Sequence, residues 1–440
     1  MNELNSSWHQ RCADPQSGMR HRFNPAAQGK MTNDRRGEIW EAAAILLVTA
    51  LHIAYYLLCL RRGHIDPGVD GEVYRQLARE YLASDSLLGE KCKILFWTPW
   101  YVFIALTGAN QSGVFVFQLG AFVLTLVAIR GLAQNLGLSG TWRVLAILGY
   151  GLYWPTFDYV IFYQYENFLS WGVATTAWFM SHERTTLRLR WQNWLVAGVV
   201  VGLSVFAHSR AAGLLVLCAA LLTALSIHSR QALLRHHLAF WTPALAPLLL
   251  WGVRNRLLWG KWIWSSTSFG YNFYVGFNPV ATGSFMPQPP YPPLDKAGAL
   301  ALDFIRTHPG RALELVLWKL IRYWEISEVG QFGPWWLLWQ EWLLMPLGLV
   351  GFALAGYRVA KLVISHRTIV FEQSAHAALF SLVWIITYFQ IFHAIFYVFT
   401  PRFRLPAMPL IVLAGLWLLH EAWLESLRIN RKVTAASTAA

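Results

Sequence analysis

Hydrophobic residues in this chain come in long runs separated by short polar stretches. The first is "AAAILLVTALHIAYYLLCL" (42–60). A helix needs about 20 apolar residues to cross roughly 30 Å of hydrocarbon, and by that measure the chain reads as about ten spans. They cover approximately 40–60, 113–131, 143–162, 166–181, 193–208, 211–227, 239–258, 335–357, 376–397 and 406–424. "FWTPWYVFIALTG" (96–108) is too short to cross and is expected to lie in, or dip into, the interface. The pattern therefore predicts an all-α polytopic membrane protein, with no clear internal repeat.

Two stretches between the runs carry a different period. In 70–82, Tyr74, Leu77, Ala78, Tyr81 and Leu82 share one helical face, while Arg75, Gln76, Arg79 and Glu80 take the other. Such a helix lies on a membrane surface. The stretch "DFIRTHPGRALELVLWKLIRYWE" (303–325) predicts a second interfacial helix. Its apolar face holds Leu313, Leu317, Leu320, Ile321 and Trp324, with Pro309 near its start. Arg311, Lys319 and Arg322 are expected to face water or lipid phosphates. Ahead of it, "WGKWIWSSTSFGYNFYVGFNPVATGSF" (259–285) is loop-like, with the composition to wrap a sugar or a lipid head, and is followed by the proline-rich "MPQPPYPP".

Composition supports the membrane class. Only 13% of the residues are charged, against about 25% in ordinary soluble domains, and 24 tryptophans and 17 tyrosines gather near the ends of the runs. The net charge of +13 comes from bases in short loops and tails, so topology explains it and nucleic acid is not an expected partner. Residues 1–38 read as a disordered cytoplasmic tail, with the first span uncleaved. Residues 39–427 read as the transmembrane domain and 428–440 as a cytoplasmic C-terminal tail carrying "RINRK". An even span count puts both tails inside. The basic loops at 181–192, 228–238 and 358–374 then also fall inside, as positive charge prefers. The outside receives the long segments 61–112 and 259–334 and three turns containing "FYQYEN", "HSRAAG" and "FTPRFRLPA".

That outer face collects Asp66, Asp70, Glu72, Asp158, Glu166, Arg210, Arg254, Arg402 and Arg404. Charges at membrane depth are costly and mark functional sites. Asp70 stands where a helix N-cap accepts from a free backbone N–H, so capping and catalysis are both open to it. Asp66, before Pro67, fits a turn or an earlier cap. Arg402 and Arg404, held between Pro401 and Pro406, are expected to form a stiff, non-helical arm presenting guanidinium forks that match phosphate or snorkel to headgroups. His64, Asp66, Asp70 and Glu72 are hard donors that suit a divalent metal, but their spacing is irregular and a metal is not favoured. Cys12, Cys59, Cys92 and Cys218 show no zinc or disulfide spacing. No GxSxG supports a serine nucleophile, and His208 reads as structural.

The order of short motifs resembles the GT-C superfamily of integral-membrane glycosyltransferases, in its bacterial branch of protein mannosyltransferases and the lipid A aminoarabinose transferase. The resemblance runs from about residue 40 to 425. "DGEVYRQLARE" matches an aspartate before an "xxYxxLAR"-like helix, placing Asp70 and Tyr74, and "WTPWYVFIALTG" matches the proline stretch after it. "YQYENFLSWGVA" supplies Glu166, and "FAHSRAAG" keeps Arg210 where relatives have "LTRP". "RNRLLWGKWIWSS" supplies Arg254, "GFNPVATG" supplies Asn278, and "IRTHPGRALELVLWKLIRYW" and "RFRLPAMP" follow in order. The lysine that precedes the proline stretch in the aminoarabinose branch is displaced here to Lys91 or Lys93.

The resemblance implies a GT-C-like bundle of about ten transmembrane helices, within a range of about 9 to 13, in a bacterial inner membrane. It implies transfer of a sugar from a polyprenyl-phosphate donor to a lipid, glycan or protein acceptor on the outer face. Asp70 becomes the expected base. Arg402, Arg404, Arg210, Arg254 and Lys93 become cations for the lipid phosphate, and Asp66, Glu72, Tyr74, Asp158, Glu166 and Asn278 supporting groups. No cofactor is required. The rival readings are a lipid or polysaccharide transporter, and an O-antigen ligase or polymerase-like enzyme with a lipid-diphosphate donor.

Overall fold

The structure is a computed structural model that describes residues 25–63, 65, 70–84, 98–183, 191–226, 230–283, 292–326, 339–366, 373–397 and 401–439. Among these residues every regular element is helical. In chain order they are α1 (Pro25–Arg61), α2 (Gly71–Leu82), α3 (Trp100–Leu106), α4 (Gln111–Asn135), α5 (Gly140–Gly151), α6 (Trp154–Ile161), α7 (Glu166–Glu183) and α8 (Trp191–Ala207). A 3-10 turn (Ser209–Ala211) leads to α9 (Ala212–Ser226), α10 (Arg230–Trp259), α11 (Phe269–Gly276), α12 (Leu294–Thr307), α13 (Pro309–Arg322), α14 (Trp339–His366) and α15 (Ser374–Phe396). A second 3-10 segment (Pro401–Ala407) runs into α16 (Met408–Ala439).

Each apolar run overlaps one of these helices, but fewer meet the length and hydropathy needed to cross a bilayer. Among the described residues five do: Arg36–Arg61, Gln111–Asn135, Trp339–Ser365, Ser374–Phe396 and Arg402–Ser437. The run at 143–162 is a bent pair, α5 and α6, turned by 56° and counting as a sixth if it is one span. Pro155 in the first turn of α6 supplies a residue that starts a helix but cannot continue one. α8 and the 209–224 helix are apolar but short. Only 22% of the α1 window is buried, so its Leu46, Leu47 and Leu57 face outward, as a lipid-facing helix requires.

α1 begins at Pro25, so part of the N-terminal stretch expected to be disordered is helical, while 1–24 lie outside the described residues. Within the 96–108 stretch, residues 100–106 form the short helix α3. It buries Trp100, Tyr101, Phe103 and Ile104, because its aromatic rings pack against Phe117, Phe168, Phe206 and Trp251. Of the predicted apolar face of α2, Tyr74, Leu77 and Ala78 are buried and the helix packs on α3, while Tyr81 is half-buried and Leu82 is exposed.

The expected single helix over 303–325 is instead the end of α12 followed by α13. His308 precedes a proline, which disfavours α geometry; it adopts φ −130°, ψ 57° and the helix breaks there. Pro309 then opens α13. Leu313, Leu317, Trp318 and Ile321 are exposed, whereas Ala312, Leu315 and Lys319 are buried. The expectation that Lys319 faces water or headgroups is thus overturned: it lies on the inner side of α13, opposite the apolar face. α11, α12 and α13 share a small core of Tyr274, Phe277, Ala297, Ala301, Phe304 and Leu315, separate from the main one.

Candidate active site

Asp70 occupies the N-cap position of α2, yet its side chain makes no capping hydrogen bond. Its Oδ2 accepts instead from Arg402 Nη1 at 2.8 Å, across 332 residues of sequence. A charge-assisted bond to a guanidinium is stronger than a bond to a neutral backbone N–H, which is why the carboxylate turns this way. The pair is about one-fifth exposed on each side, at 22% and 21%, so water reaches it.

Arg402 and Arg404 do not form a non-helical arm. Residues 401–407 make a 3-10 helix despite Pro406 inside it. At about three residues per turn, residues two apart point in different directions. Arg402 reaches Asp70. Arg404 is fully buried, with Nη2 3.0 Å from Glu341 Oε2 and Nη1 donating to the carbonyls of Tyr323 (3.1 Å) and Glu325 (2.5 Å). Tyr153 donates to the other Glu341 oxygen at 2.6 Å. Arg404 therefore joins α14, the end of α13 and the 3-10 segment rather than facing the outer edge of the bilayer.

Behind the Asp70–Arg402 pair lies a second, buried pair. Glu166, at the first turn of α7, accepts from Arg210 Nη2 at 3.3 Å, with exposures of 1% and 0%. His208 Nδ1 accepts from the Arg210 backbone N–H at 3.0 Å, and Tyr388 donates to the Arg210 carbonyl at 2.6 Å, which fixes the 3-10 turn. The Phe403 ring links the two pairs: the Arg210 guanidinium lies 4.4 Å from its centroid and that of Arg402 5.1 Å. Tyr165 and Tyr397 flank Arg210 at 5.0 and 5.9 Å. Glu166 Oε2, Arg210 Nη1 and His393 Nε2 are buried without a hydrogen bond.

The remaining candidates make other contacts. Asp158 accepts from Tyr55 at 2.8 Å, tying α6 to α1. Glu72 pairs on the exposed surface of α2 with Arg75. Arg254 donates to Asn255 at 2.8 Å and stacks 4.4 Å from Trp251. Asn278 folds its own loop, accepting from Val280 N–H at 2.9 Å. Tyr74 lies beneath Asp70 with its hydroxyl 3.3 Å from Thr98, and burial pushes its phenol well above the ordinary value. Asp66, His64 and Lys93 lie outside the described residues. Among the described residues no three His, Cys, Asp or Glu side chains come together as metal donors.

Sequence reasoning missed Phe403, Tyr165, Tyr397 and His393. Only the flanking of Phe403 by two arginines marked it in advance; the others sit in apolar surroundings that read as ordinary core. The site thus places a water-accessible carboxylate, two guanidinium groups and a buried second carboxylate around one aromatic ring. Such a set can neutralise an anionic leaving group and accept a proton. No family model, curated protein or solved structure matches the chain.

Proposed function

We propose that the protein is a membrane glycosyltransferase that moves a sugar from a polyprenyl-phosphate donor to a lipid, glycan or protein acceptor on the outer face of a bacterial inner membrane. The observation that carries this reading is the Asp70–Arg402 pair beside the Arg210–Glu166 pair. The ordered motifs of the sequence support it, and the reading takes about ten spans and both tails in the cytoplasm.

In this mechanism the donor phosphate attracts Arg402 away from Asp70, since a phosphate offers the fork at least as good a partner as a carboxylate. The freed Asp70 carboxylate accepts the acceptor hydroxyl proton. The acceptor oxygen bonds to the anomeric carbon, and the carbon–oxygen bond to phosphate breaks with its electron pair on the phosphate oxygen. Arg402, with Arg210 behind Phe403, stabilises the charge that gathers there. Glu166 holds Arg210 in place.

The test supplies purified protein with lipid-monophosphate and lipid-diphosphate sugars and follows released lipid phosphate or diphosphate. Release from the monophosphate donor is expected. Turnover of the diphosphate donor alone indicates a ligase or polymerase-like enzyme, and no release from either, with flux across proteoliposomes, indicates a transporter. Arg402→Ala should weaken donor binding about 10- to 100-fold, from roughly 1.5–3 kcal/mol for a hydrogen bond to a charged group. Unchanged donor affinity would remove Arg402 from the phosphate site.

A further inference from the structure

Lys319 has no role in the site above. It is 1% exposed on the inner side of α13, and among the described residues its Nζ makes no hydrogen bond. Among the described residues the face of Phe277 lies against it, with the amine 3.7 Å from the ring centroid. The slot that holds it is shaped by glycines. A Cβ on Gly276 would fall 3.0 Å from Nζ and 2.7 Å from the Tyr397 carbonyl oxygen, and one on Gly283 3.5 Å from Lys319 Cγ. Gly283 also has φ +87°, where other residues are strained. The 276–283 loop is folded around the lysine, and Arg311 fastens it to α13 by donating to the Ala281 carbonyl at 3.1 Å.

An unpaired buried amine is expensive, and a leucine or methionine would pack there without that penalty. Of the titratable groups on the surrounding elements (Tyr274 on α11, Asp303 on α12, His393 on α15 and Tyr397 just after it, Arg311 and Glu314 on its own helix) none shifts it. Burial alone pushes the amine down to about 7. The outer face of the same helix carries the exposed Leu313, Leu317 and Ile321, so α13 turns apolar side chains out on one side and holds this amine on the other. Tyr397 lies between the slot and the Arg210 cluster.

We propose that Lys319 anchors a lipid-phosphate site at the seam between the 276–283 loop and Tyr397, which opens when the loop lifts from α13. The anion supplies the counter-charge and hydrogen-bond acceptors that the amine lacks. The site is separate from the Asp70–Arg402 pair; only the identification of the lipid as a polyprenyl carrier rests on the function proposed above.

The experiment measures binding of a sugar-free, short-chain polyprenyl monophosphate to the detergent-solubilised full chain, with phosphatidylglycerol vesicles and inorganic phosphate as competitors. Arg402→Ala is the background throughout, so that the phosphate site proposed above contributes little; in this experiment the wild type is the chain that keeps Lys319 in that background. Lys319→Met should weaken binding at least about tenfold, as expected when a hydrogen bond to a charged group is lost. Arg306→Ala, which removes an exposed cation from α12, should leave it unchanged. Wild-type affinity should fall by up to about tenfold per pH unit above the amine's titration, because binding must then take up a proton. Lys319→Met should be flat over that range. Its melting temperature should match or exceed the wild type's, which excludes misfolding as the cause. Competition by phosphatidylglycerol would assign the site to bulk headgroups, and its absence to the carrier; both support a lipid-phosphate site. Equal affinity in Lys319→Met, or a pH-independent wild type, overturns it. Binding, with no sugar transfer by the chain that keeps Arg402, would count against the proposed function and leave the Lys319 site standing.

Discussion

Asp70→Asn should abolish sugar transfer while strengthening the hold on the donor phosphate. Loss of a general base lowers the rate by about 10²–10⁴. The opposite effect on binding follows from the ion pair: Asp70 and the phosphate compete for Arg402, and an asparagine competes as a neutral acceptor only. The fold should tolerate the change. The carboxylate caps no backbone N–H of α2, and an amide oxygen can still accept from Arg402, so the stability loss is expected near 1 kcal/mol. Measuring initial rates and polyprenyl-phosphate affinity on the same preparation separates the two effects. Near-normal transfer by the variant would show that another group takes the proton. Normal donor affinity with abolished transfer would keep Asp70 as the base but rule out the competition for Arg402.

The largest stability effect is expected at Arg404, two residues from Arg402. Arg404→Ala removes the guanidinium that faces the buried Glu341 carboxylate and donates to the Tyr323 and Glu325 carbonyls. Breaking a buried pair in this manner costs about 3–5 kcal/mol. Arg404→Met combined with Glu341→Gln removes the carboxylate charge as well while leaving Tyr153 an acceptor, and should recover part of that loss. Thermal unfolding in detergent reads both variants. A single variant as stable as the wild type would mean that Glu341 finds another partner. Arg402→Ala, in a pair that water reaches, should unfold close to the wild-type temperature.

These contrasting arginines show how far the chain could be read in advance. "RFR" in sequence places two guanidinium groups side by side, and nothing local separates them. The 3-10 turn sends one to Asp70 and the other to Glu341. Lys319 was obscured for a related reason. In the sequence it belongs to the polar positions of an amphipathic helix, which ordinarily face water. Here the outer side of α13 is apolar, so the helix presents its leucines outward and its lysine to the interior. An amphipathic pattern states that two faces differ; it does not state which one is turned to the protein when the surroundings can be lipid.

The span count shows the same limit. Apolar runs marked where helices form, and each run overlaps one, but a run does not reveal a 56° bend or a helix too short to cross alone. By itself the sequence determined the helical, membrane-class composition, the buried face of α2 with Tyr74, Leu77 and Ala78, and the position of Asp70 at that helix's start. These follow from local rules: hydropathy over a span, the 3.6-residue period and the residue preferences of helix ends. Tertiary structure alone decided that Asp70 pairs with Arg402, that Arg210 and Glu166 stand behind Phe403, and that Arg404 is a buried tie. Those choices depend on which charges meet after residues hundreds of positions apart are packed together, where the lack of water makes each unpaired charge expensive and forces a specific partner.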